Sequence, residues 1–157
     1  MACDGAQVLN GIGTVIRGHS FDLARVHVTA IHRIHNPLVE ARFKAWCTAH
    51  NGHVANAPQR FHGTDPKAAA SIANEGFDLI KGNGGVWVAT HALYSVTYSL
   101  FRNRNVDWWT RPAPYPKGLT MLLVRVWTGK SVDETCMVTN VDQTWPTHLI
   151  HFDLVPV

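Results

Sequence analysis

The sequence lacks any run of about 18 consecutive apolar residues, the length that a membrane-spanning helix needs, so we expect no membrane segment among its 157 residues. It also lacks a basic stretch followed by an apolar one near its beginning, where Asp4 is acidic, so we expect no secretory signal. Cysteine is scarce. Cys3, Cys47 and Cys136 are an odd number at wide spacing, which favours a reduced intracellular protein, cytoplasmic or nuclear, over a disulfide-stabilised scaffold.

An excess of charge of one sign is also missing. The 14 Lys and Arg residues against 11 Asp and Glu residues give a formal net charge of +3, which permits a nucleic-acid partner but does not argue for one. By contrast, hydrophobic residues make up 46% of the chain, and no low-complexity stretch occurs. We therefore expect one monomeric folded domain over residues 1–157, in which residues 1–23 form a partly ordered arm or short strand.

Several segments have the pattern of β-strands. Val26, Val28 and Ala30 alternate at period two within "ARVHVTAIHRIH". The nearly continuous apolar run "LTMLLVRVWTG" predicts a central strand that ends in a turn at Gly129. A short strand is predicted in "GVWVAT", and one or two more in "MVTNVDQTWPTHLIHFDLV".

The first predicted helix follows Asn36 and Pro37 and runs through "LVEARFKAWCTAH". An Asn-Pro pair is typical of an N-cap and the first helical position. Val39, Phe43 and Trp46 lie at i, i+4 and i+7, which predicts that they share one buried face. The following "NGHVANAP" is expected to be a loop.

Two more helices are predicted further along the chain. Asp65 and Pro66 start the second, which "KAAASIANE" fills and Gly76 ends. The loop "KGNGG" and the short strand separate it from a third helix in "HALYSVTYSLF". Because helices lie between only some of the strands, the order favours an α+β domain.

Five motifs occur in a fixed order along the chain: "RIHNPLVEARF", "RFHGT", "GVWVATHALYSVTYS", "MLLVRVWTG" and "QTWPTHLI". Together they resemble the catalytic domain of the poly(ADP-ribose) polymerase-like ADP-ribosyltransferases, the diphtheria-toxin-type or His-Tyr-Glu class, over roughly residues 24–155. The resemblance implies an ADP-ribosyltransferase fold, with split mixed or antiparallel sheets around an NAD⁺-binding cleft and flanking helices. It also implies a transferase that uses NAD⁺ as co-substrate and no metal.

Besides Trp87, the resemblance assigns roles in NAD⁺ binding to five residues. His62 would hydrogen-bond the ribose on the adenosine side, and Thr64 belongs to the same binding set. The backbone of Gly63 would bind the nicotinamide carboxamide, where a glycine lets the ligand approach the main chain closely. Ser95 would donate its hydroxyl to that carboxamide, and Tyr98 would stack on the nicotinamide ring. The "KGNGG" loop would close over NAD⁺.

The sequence departs from the family at two positions of the triad. Trp87 stands in place of the usual tyrosine, either as a wall of the pocket or as a core aromatic. Thr147 stands in place of the glutamate, with His148 after it as a candidate base. Loss of a positioned acid–base group typically costs about 10² to 10⁴ in rate, so we expect transfer of a single ADP-ribose unit rather than polymer synthesis. Tyr94, one turn before Tyr98, is expected to be structural.

The implied reaction releases nicotinamide from the anomeric carbon of the ribose, and an acceptor adds from the opposite face. Without a glutamate base, an acceptor that is already anionic is the easier nucleophile. The candidates are a carboxylate of a protein side chain and a terminal phosphate of RNA or DNA. The segment between Gly129 and Met137 is short, which predicts an open acceptor face.

The long connector "RNRNVDWWTRPAPYPKG" has two interpretations. Its basic and aromatic side chains would suit a nucleic-acid strand, but a solvated loop whose tryptophans pack on the domain is favoured. The residues concerned are Arg102, Arg104, Trp108, Trp109, Arg111, Tyr115 and Lys117.

Cys47, His50 and His53 have only a loosely zinc-like spacing and no evident fourth ligand, so no metal site is predicted. Two functional alternatives to the transferase stay open. One is a catalytically inactive module that binds NAD⁺ or ADP-ribose, since both triad positions depart from the family. The other is an RNA 2′-phosphotransferase of related fold, whose pattern of arginines and histidines is not found in this sequence.

Overall fold

The computed structural model describes residues 16–18, 21–102, 116–128 and 135–156. These residues form one antiparallel sheet of seven strands in the order β1-β2-β7-β5-β3-β4-β6, with α-helices packed against it. The strands are β1 Ile16–Gly18, β2 Phe21–Arg33, β3 Gln59–Thr64, β4 Val86–Ala89, β5 Leu119–Val126, β6 Thr135–Val138 and β7 Thr144–Pro156. The α-helices are α1 Pro37–Ala49, α2 Pro66–Glu75 and α3 Ala92–Arg102, and short 3₁₀ helices cover Val54–Asn56 and Val141–Gln143.

The predicted α+β class is confirmed, but the arrangement of the sheet differs from the expectation. Every strand pair in the described part of the chain is antiparallel, so the expected mixed component is absent there. The strands form a single sheet, although β3 and β4 share only one residue pair. None of the described helices is long and apolar enough to cross a membrane.

The predicted central strand is confirmed as β5, which lies between β7 and β3. Seven of its eight residues are buried, because both faces of the sheet are covered at this point. Met121 and Leu123 pack under α3, while Leu122 and Val124 belong to the apolar cluster that includes Phe77. Because successive side chains of a strand point to opposite faces of the sheet, β5 contributes to the apolar core on each face.

The predicted strand at residues 24–35 is confirmed as β2, but its expected single face is interrupted. Val26 and Val28 lie on the core face that α3 covers. The register shifts between Val28, which pairs with Phe152, and Ala30, which pairs with His151. Since neighbouring residues of β7 point to opposite faces, this β-bulge moves Ala30 to the other face of the sheet.

The predicted caps of α1 and α2 are confirmed. The Asn36 side chain accepts a hydrogen bond from the Val39 backbone N–H at 3.2 Å. The Asp65 carboxylate accepts one from the Ala68 backbone N–H at 2.8 Å. Gly76 ends α2 with a φ of 86°, a value that favours glycine.

The predicted buried face of α1 is partly wrong. Val39 and Phe43 are buried as expected, but the third buried residue is Cys47 rather than Trp46. Trp46 instead stacks on His50, with 3.8 Å between the ring centroids. The apolar stripe therefore follows i, i+4 and i+8.

The remaining element predictions have mixed outcomes. The third helix is confirmed as α3, and the C-terminal segment forms two strands, β6 and β7, rather than one. The predicted loop after α1 contains a 3₁₀ helix. Several predictions lie outside the described residues: the arm before Ile16, the turn at Gly129, most of the segment before Met137, and the connector over residues 103–115.

Candidate ligand-binding cleft

The sheet opens into a cleft between β3 and β4. Phe61 pairs with Ala89, and no later residue of β3 pairs with β4, although all four residues of β4 pair with β6 on the other edge of β4. A cavity of ≈ 490 Å³ lies at this opening, within the range of about 300–1,000 Å³ typical of small-molecule sites. Its walls come from the end of β3, from α2 and the loop that follows it, and from β4 and α3.

His62 bridges the opening. Its Nδ1 lies 2.7 Å from the backbone carbonyl oxygen of Trp87 on β4. Because a carbonyl oxygen only accepts, Nδ1 carries a hydrogen and donates it to Trp87. The Phe77 ring meets the imidazole edge to face, with 5.0 Å between centroids. The orientation of His62 is therefore set by contacts on both sides.

Gly63 is the point where α3 comes closest to the sheet. A Cβ atom there would lie 1.8 Å from the Ser95 carbonyl oxygen and 2.9 Å from the Ser99 backbone nitrogen. Real Cβ atoms do not approach backbone atoms so closely, so no other residue fits without displacing the helix. Helix packing is therefore one structural reason for this glycine, and the close ligand approach expected from the sequence stays a prediction.

The helix α3 places two predicted residues on the cleft. Ser95 is 2% exposed and Tyr98 is 37% exposed, and both line the cavity. Ser95 and Tyr98 are three residues apart, so they share a helix face. Thr64, the last residue of β3, is buried and also lines the cavity.

Tyr94 lines the cavity as well, which the sequence analysis did not expect. Its hydroxyl lies 3.4 Å from that of Tyr98, and the two rings are 5.4 Å apart. This hydrogen bond, together with burial and the nearby Tyr94 phenol charge, raises the pKa of Tyr98. The i, i+4 spacing of the two tyrosines was the signal in the sequence that could have identified Tyr94.

Trp87 is a wall of the cavity rather than a core aromatic, which resolves the two alternatives. It is 49% exposed, whereas its neighbours Val86 and Val88 are buried on the opposite face of β4. Met137 of β6 pairs directly with Trp87 and is exposed to a similar extent. Trp87 therefore contributes an aromatic side chain to the cavity wall at β4.

Thr147 and His148 are not brought into the cleft. They lie on β7, and β5 separates β7 from β3. Thr147 donates its hydroxyl to the Leu123 carbonyl at 3.1 Å, so it accepts from His148 Nδ1 at 3.0 Å. Burial, and to a lesser extent the charge of Arg33, lowers the pKa of His148. Both residues are buried, and their hydrogen bonds face each other and β5 rather than the cavity.

Charged side chains that the sequence analysis did not single out complete the cavity. Lys67 on α2 and Lys81 in the following loop are exposed cations on its wall. Asp65 and Asp78 also line it, but both accept backbone N–H groups, from Ala68 and Ile80 respectively. Only chain folding assembles these residues, since nothing in their local sequence marks them as a site.

The described residues contain no group of three or more His, Cys, Asp or Glu side chains arranged to hold a metal ion. Cys47 is fully buried in an apolar cluster, and His50 Nδ1 is 2.9 Å from the Trp46 carbonyl oxygen. His53 accepts a hydrogen bond from the Ala55 backbone N–H. The three candidate zinc ligands therefore have separate structural roles.

No protein-family model matches the chain, and no curated protein matches its sequence. The functional assignment therefore depends on the cleft between β3 and β4 and on the side chains that line it.

Proposed function

We propose that the protein is a mono-ADP-ribosyltransferase that binds NAD⁺ in the cleft between β3 and β4. One observation carries the proposal. All six residues that the family resemblance assigns to NAD⁺ binding line a single cavity, although they come from three separate elements. They are His62, Gly63, Thr64, Trp87, Ser95 and Tyr98.

The chemistry of the cavity wall suits the parts of a dinucleotide. The tyrosine and tryptophan side chains offer faces on which a planar ring can stack. Lys67 and Lys81 offer ammonium groups to a diphosphate. The hydroxyl of Ser95 is a donor suited to a carboxamide oxygen. Aromatic, cationic and hydroxyl groups together fit NAD⁺ better than they fit a purely apolar ligand.

In the proposed reaction, the bond between the nicotinamide nitrogen and the anomeric carbon breaks, and its electron pair leaves with nicotinamide. A new bond then forms between that carbon and the acceptor. Ser95 and the Gly63 backbone hold the carboxamide, Tyr98 and Trp87 flank the ring, and His62 orients the remainder of the dinucleotide. The protein contributes mainly by fixing NAD⁺ in a reactive conformation and by excluding water.

The lining also restricts the acceptor in this proposal. Among the described residues, the carboxylates on the cavity wall are Asp65 and Asp78, and each already accepts a backbone N–H. Neither is set to deprotonate a hydroxyl, so an anionic acceptor fits best: a protein carboxylate or a terminal phosphate of RNA or DNA. The same shortage of a base favours transfer of one ADP-ribose unit.

A second candidate function is an inactive module that binds NAD⁺ or ADP-ribose. Thr147 occupies the third triad position and His148 follows it, and neither residue lies on the cavity wall, which favours this second candidate. The module keeps the same ligand and the same cleft but transfers nothing.

Binding and turnover distinguish the two candidates. NAD⁺ and ADP-ribose binding are measured by calorimetry, and nicotinamide release by chromatography, for the native protein, Tyr98→Ala and the distant surface variant Leu38→Ala. The transferase binds NAD⁺ and releases nicotinamide, whereas the module binds without release. Both candidates are wrong if neither ligand binds, or if Tyr98→Ala and Leu38→Ala bind NAD⁺ as the native protein does.

A further inference from the structure

The hydroxyl of Ser99 makes a hydrogen bond that leaves its own helix. Ser99 lies on α3 one turn after Ser95 and is 1% exposed. Its Oγ is 2.6 Å from the backbone carbonyl oxygen of Thr120 on β5 and 3.1 Å from that of Ser95. A serine within a helix commonly bonds the carbonyl four residues earlier and needs no further partner. The shorter bond to Thr120 therefore links the helix to the sheet.

The link continues from β5 to the cleft. The Thr120 hydroxyl, also 1% exposed, donates to the carbonyl of Thr64 on β3 at 2.8 Å. Thr64 lines the cavity. Two buried hydroxyls thus connect α3, β5 and the edge of β3 that forms the cleft.

This connection lies beside the point where α3 rests on a strand residue that has no side chain. At Gly63 the backbone of α3 rests directly on the backbone of β3, so no side chain of that strand residue contributes apolar contact. Among the described side chains of α3, Ala92, Val96 and Leu100 belong to the apolar cluster on the same face of the sheet. A directional bond from Ser99 fixes the position of the helix more narrowly than apolar contact alone.

We propose that Ser99 is a positioning residue: by bonding Thr120 it sets the place of α3, and therefore of Ser95 and Tyr98, over the cleft. The ligand part of this inference rests on the proposed function. The helix carries both side chains assigned to the nicotinamide end, Ser95 and Tyr98, whereas His62 lies on β3. A displaced helix therefore weakens binding of the nicotinamide end and leaves the ADP-ribose end unchanged.

The test compares Ser99→Ala with Val96→Ala. Val96 is buried on the same helix and makes no side-chain hydrogen bond, so its truncation destabilises the fold while the Ser99 bond remains. Affinities for NAD⁺ and for ADP-ribose are measured by calorimetry, and melting temperatures report stability. Hydrogen exchange of the α3 and β7 amides is measured without ligand.

We expect Ser99→Ala to weaken NAD⁺ binding about tenfold and ADP-ribose binding less than about twofold, in line with the loss of one buried hydrogen bond. Val96→Ala should lower the melting temperature but change both affinities by the same factor. An equal effect of Ser99→Ala on the two ligands, or no effect on either, overturns the inference.

The exchange measurement separates this inference from the proposed function. If the native protein binds neither ligand, the proposed function fails, but the Ser99 link is still tested. Ser99→Ala should reduce protection of the α3 amides while the β7 amides stay protected. Unchanged protection of α3 overturns the inference whatever the ligand data are.

Discussion

The residue on which both sides of the cleft depend is His62. Its Nδ1–H bond to the Trp87 carbonyl spans the opening where β3 and β4 stop pairing. The same ring packs against Phe77. One side chain therefore holds the cleft together and, in the proposed function, contacts the dinucleotide.

His62→Phe keeps an aromatic ring in place but removes both the hydrogen bond across the cleft and the proposed contact with the dinucleotide. The variant keeps an aromatic ring near Phe77 but loses the bond to Trp87, so we expect the free energy of unfolding to fall by about 1–3 kcal/mol. NAD⁺ affinity should fall about tenfold or more, since the ligand also loses a partner. Urea unfolding and calorimetry measure both quantities, with His35→Phe, at an exposed position, as the control. Native-like NAD⁺ affinity in His62→Phe would contradict the assignment.

The tyrosine pair on α3 allows stacking to be tested apart from the phenol hydroxyl. Tyr98→Ala should weaken binding of nicotinamide-like inhibitors by about 1–3 kcal/mol, the range for one lost stacking partner. Tyr94→Phe keeps the Tyr98 ring but removes the hydroxyl that raises its pKa. The pKa of Tyr98 should then move down towards its ordinary value in a spectroscopic titration, with inhibitor affinity preserved. An inhibitor that binds Tyr98→Ala normally would refute stacking at this position.

The two lysines on the cavity wall should recognise charge rather than the ring. In the proposed function, Lys67→Ala combined with Lys81→Ala weakens NAD⁺ binding about tenfold or more, with a loss that shrinks as salt rises. Free nicotinamide carries no diphosphate, so its binding should not change. Lys117→Ala, which removes an exposed cation away from the cavity, is the control. Equal losses for nicotinamide and NAD⁺ would show that the lysines act on the fold instead.

At the scale of elements, the cleft exists because α3 rests on β3 while β4 diverges from it. The helix can approach because Gly63 has no side chain, and the cleft opens where β3 and β4 share no residue pair other than Phe61 and Ala89. Sequence patterns predicted β4 and α3. They did not predict where β3 and β4 stop pairing, because strand pairing depends on residues far apart in the chain.

Gly63→Ala tests the contact between α3 and β3. The added Cβ meets helix backbone rather than a flexible side chain, so the helix must move, and we expect a loss of about 1–3 kcal/mol or more in unfolding free energy. NAD⁺ binding should fall with it. Gly84→Ala is the matched control, since its φ of 86° strains a side chain but nothing lies within 4 Å. Urea unfolding that shows a smaller loss for Gly63→Ala than for Gly84→Ala would contradict the packing argument.

At the scale of the whole molecule, the features that could be predicted from the sequence are those that depend on residues close together in the chain. Asn36 and Asp65 mark helix starts because a cap is a local interaction. The bulge in β2 and the burial of Cys47 instead of Trp46 depend on neighbouring strands and helices, which no local pattern records. For the site, the motif spacing led to His62 and Tyr98 on one cavity.

The third triad position shows the same limit. The order of motifs assigned Thr147 to the same site as the other motif residues. The distance between Thr147 and the cleft depends on strand order, and β5 lies between β7, which carries Thr147, and β3. Lys67 and Lys81 were not predicted, because they come from α2 and the loop after it and line the same cavity only in the folded chain. Motif order therefore predicted part of the cavity wall, while strand order and loop placement decide which other residues belong to it.

Two histidines of β7, the buried His148 and the half-buried His151, should make the stability of the whole molecule depend on pH. Burial lowers the pKa of both His148 and His151, with smaller contributions from the charges of Arg33 and His32 respectively. As pH falls below about 6.5, the unfolded chain takes up protons that the folded protein resists, so the free energy of unfolding decreases through that window and is constant above it. Urea unfolding between pH 5 and 8 measures this, and ring-proton titration by NMR should place both pKa values below 6.5. His148→Asn keeps a neutral donor for Thr147 and should flatten the pH dependence. An unchanged slope in that variant would show that other groups cause it.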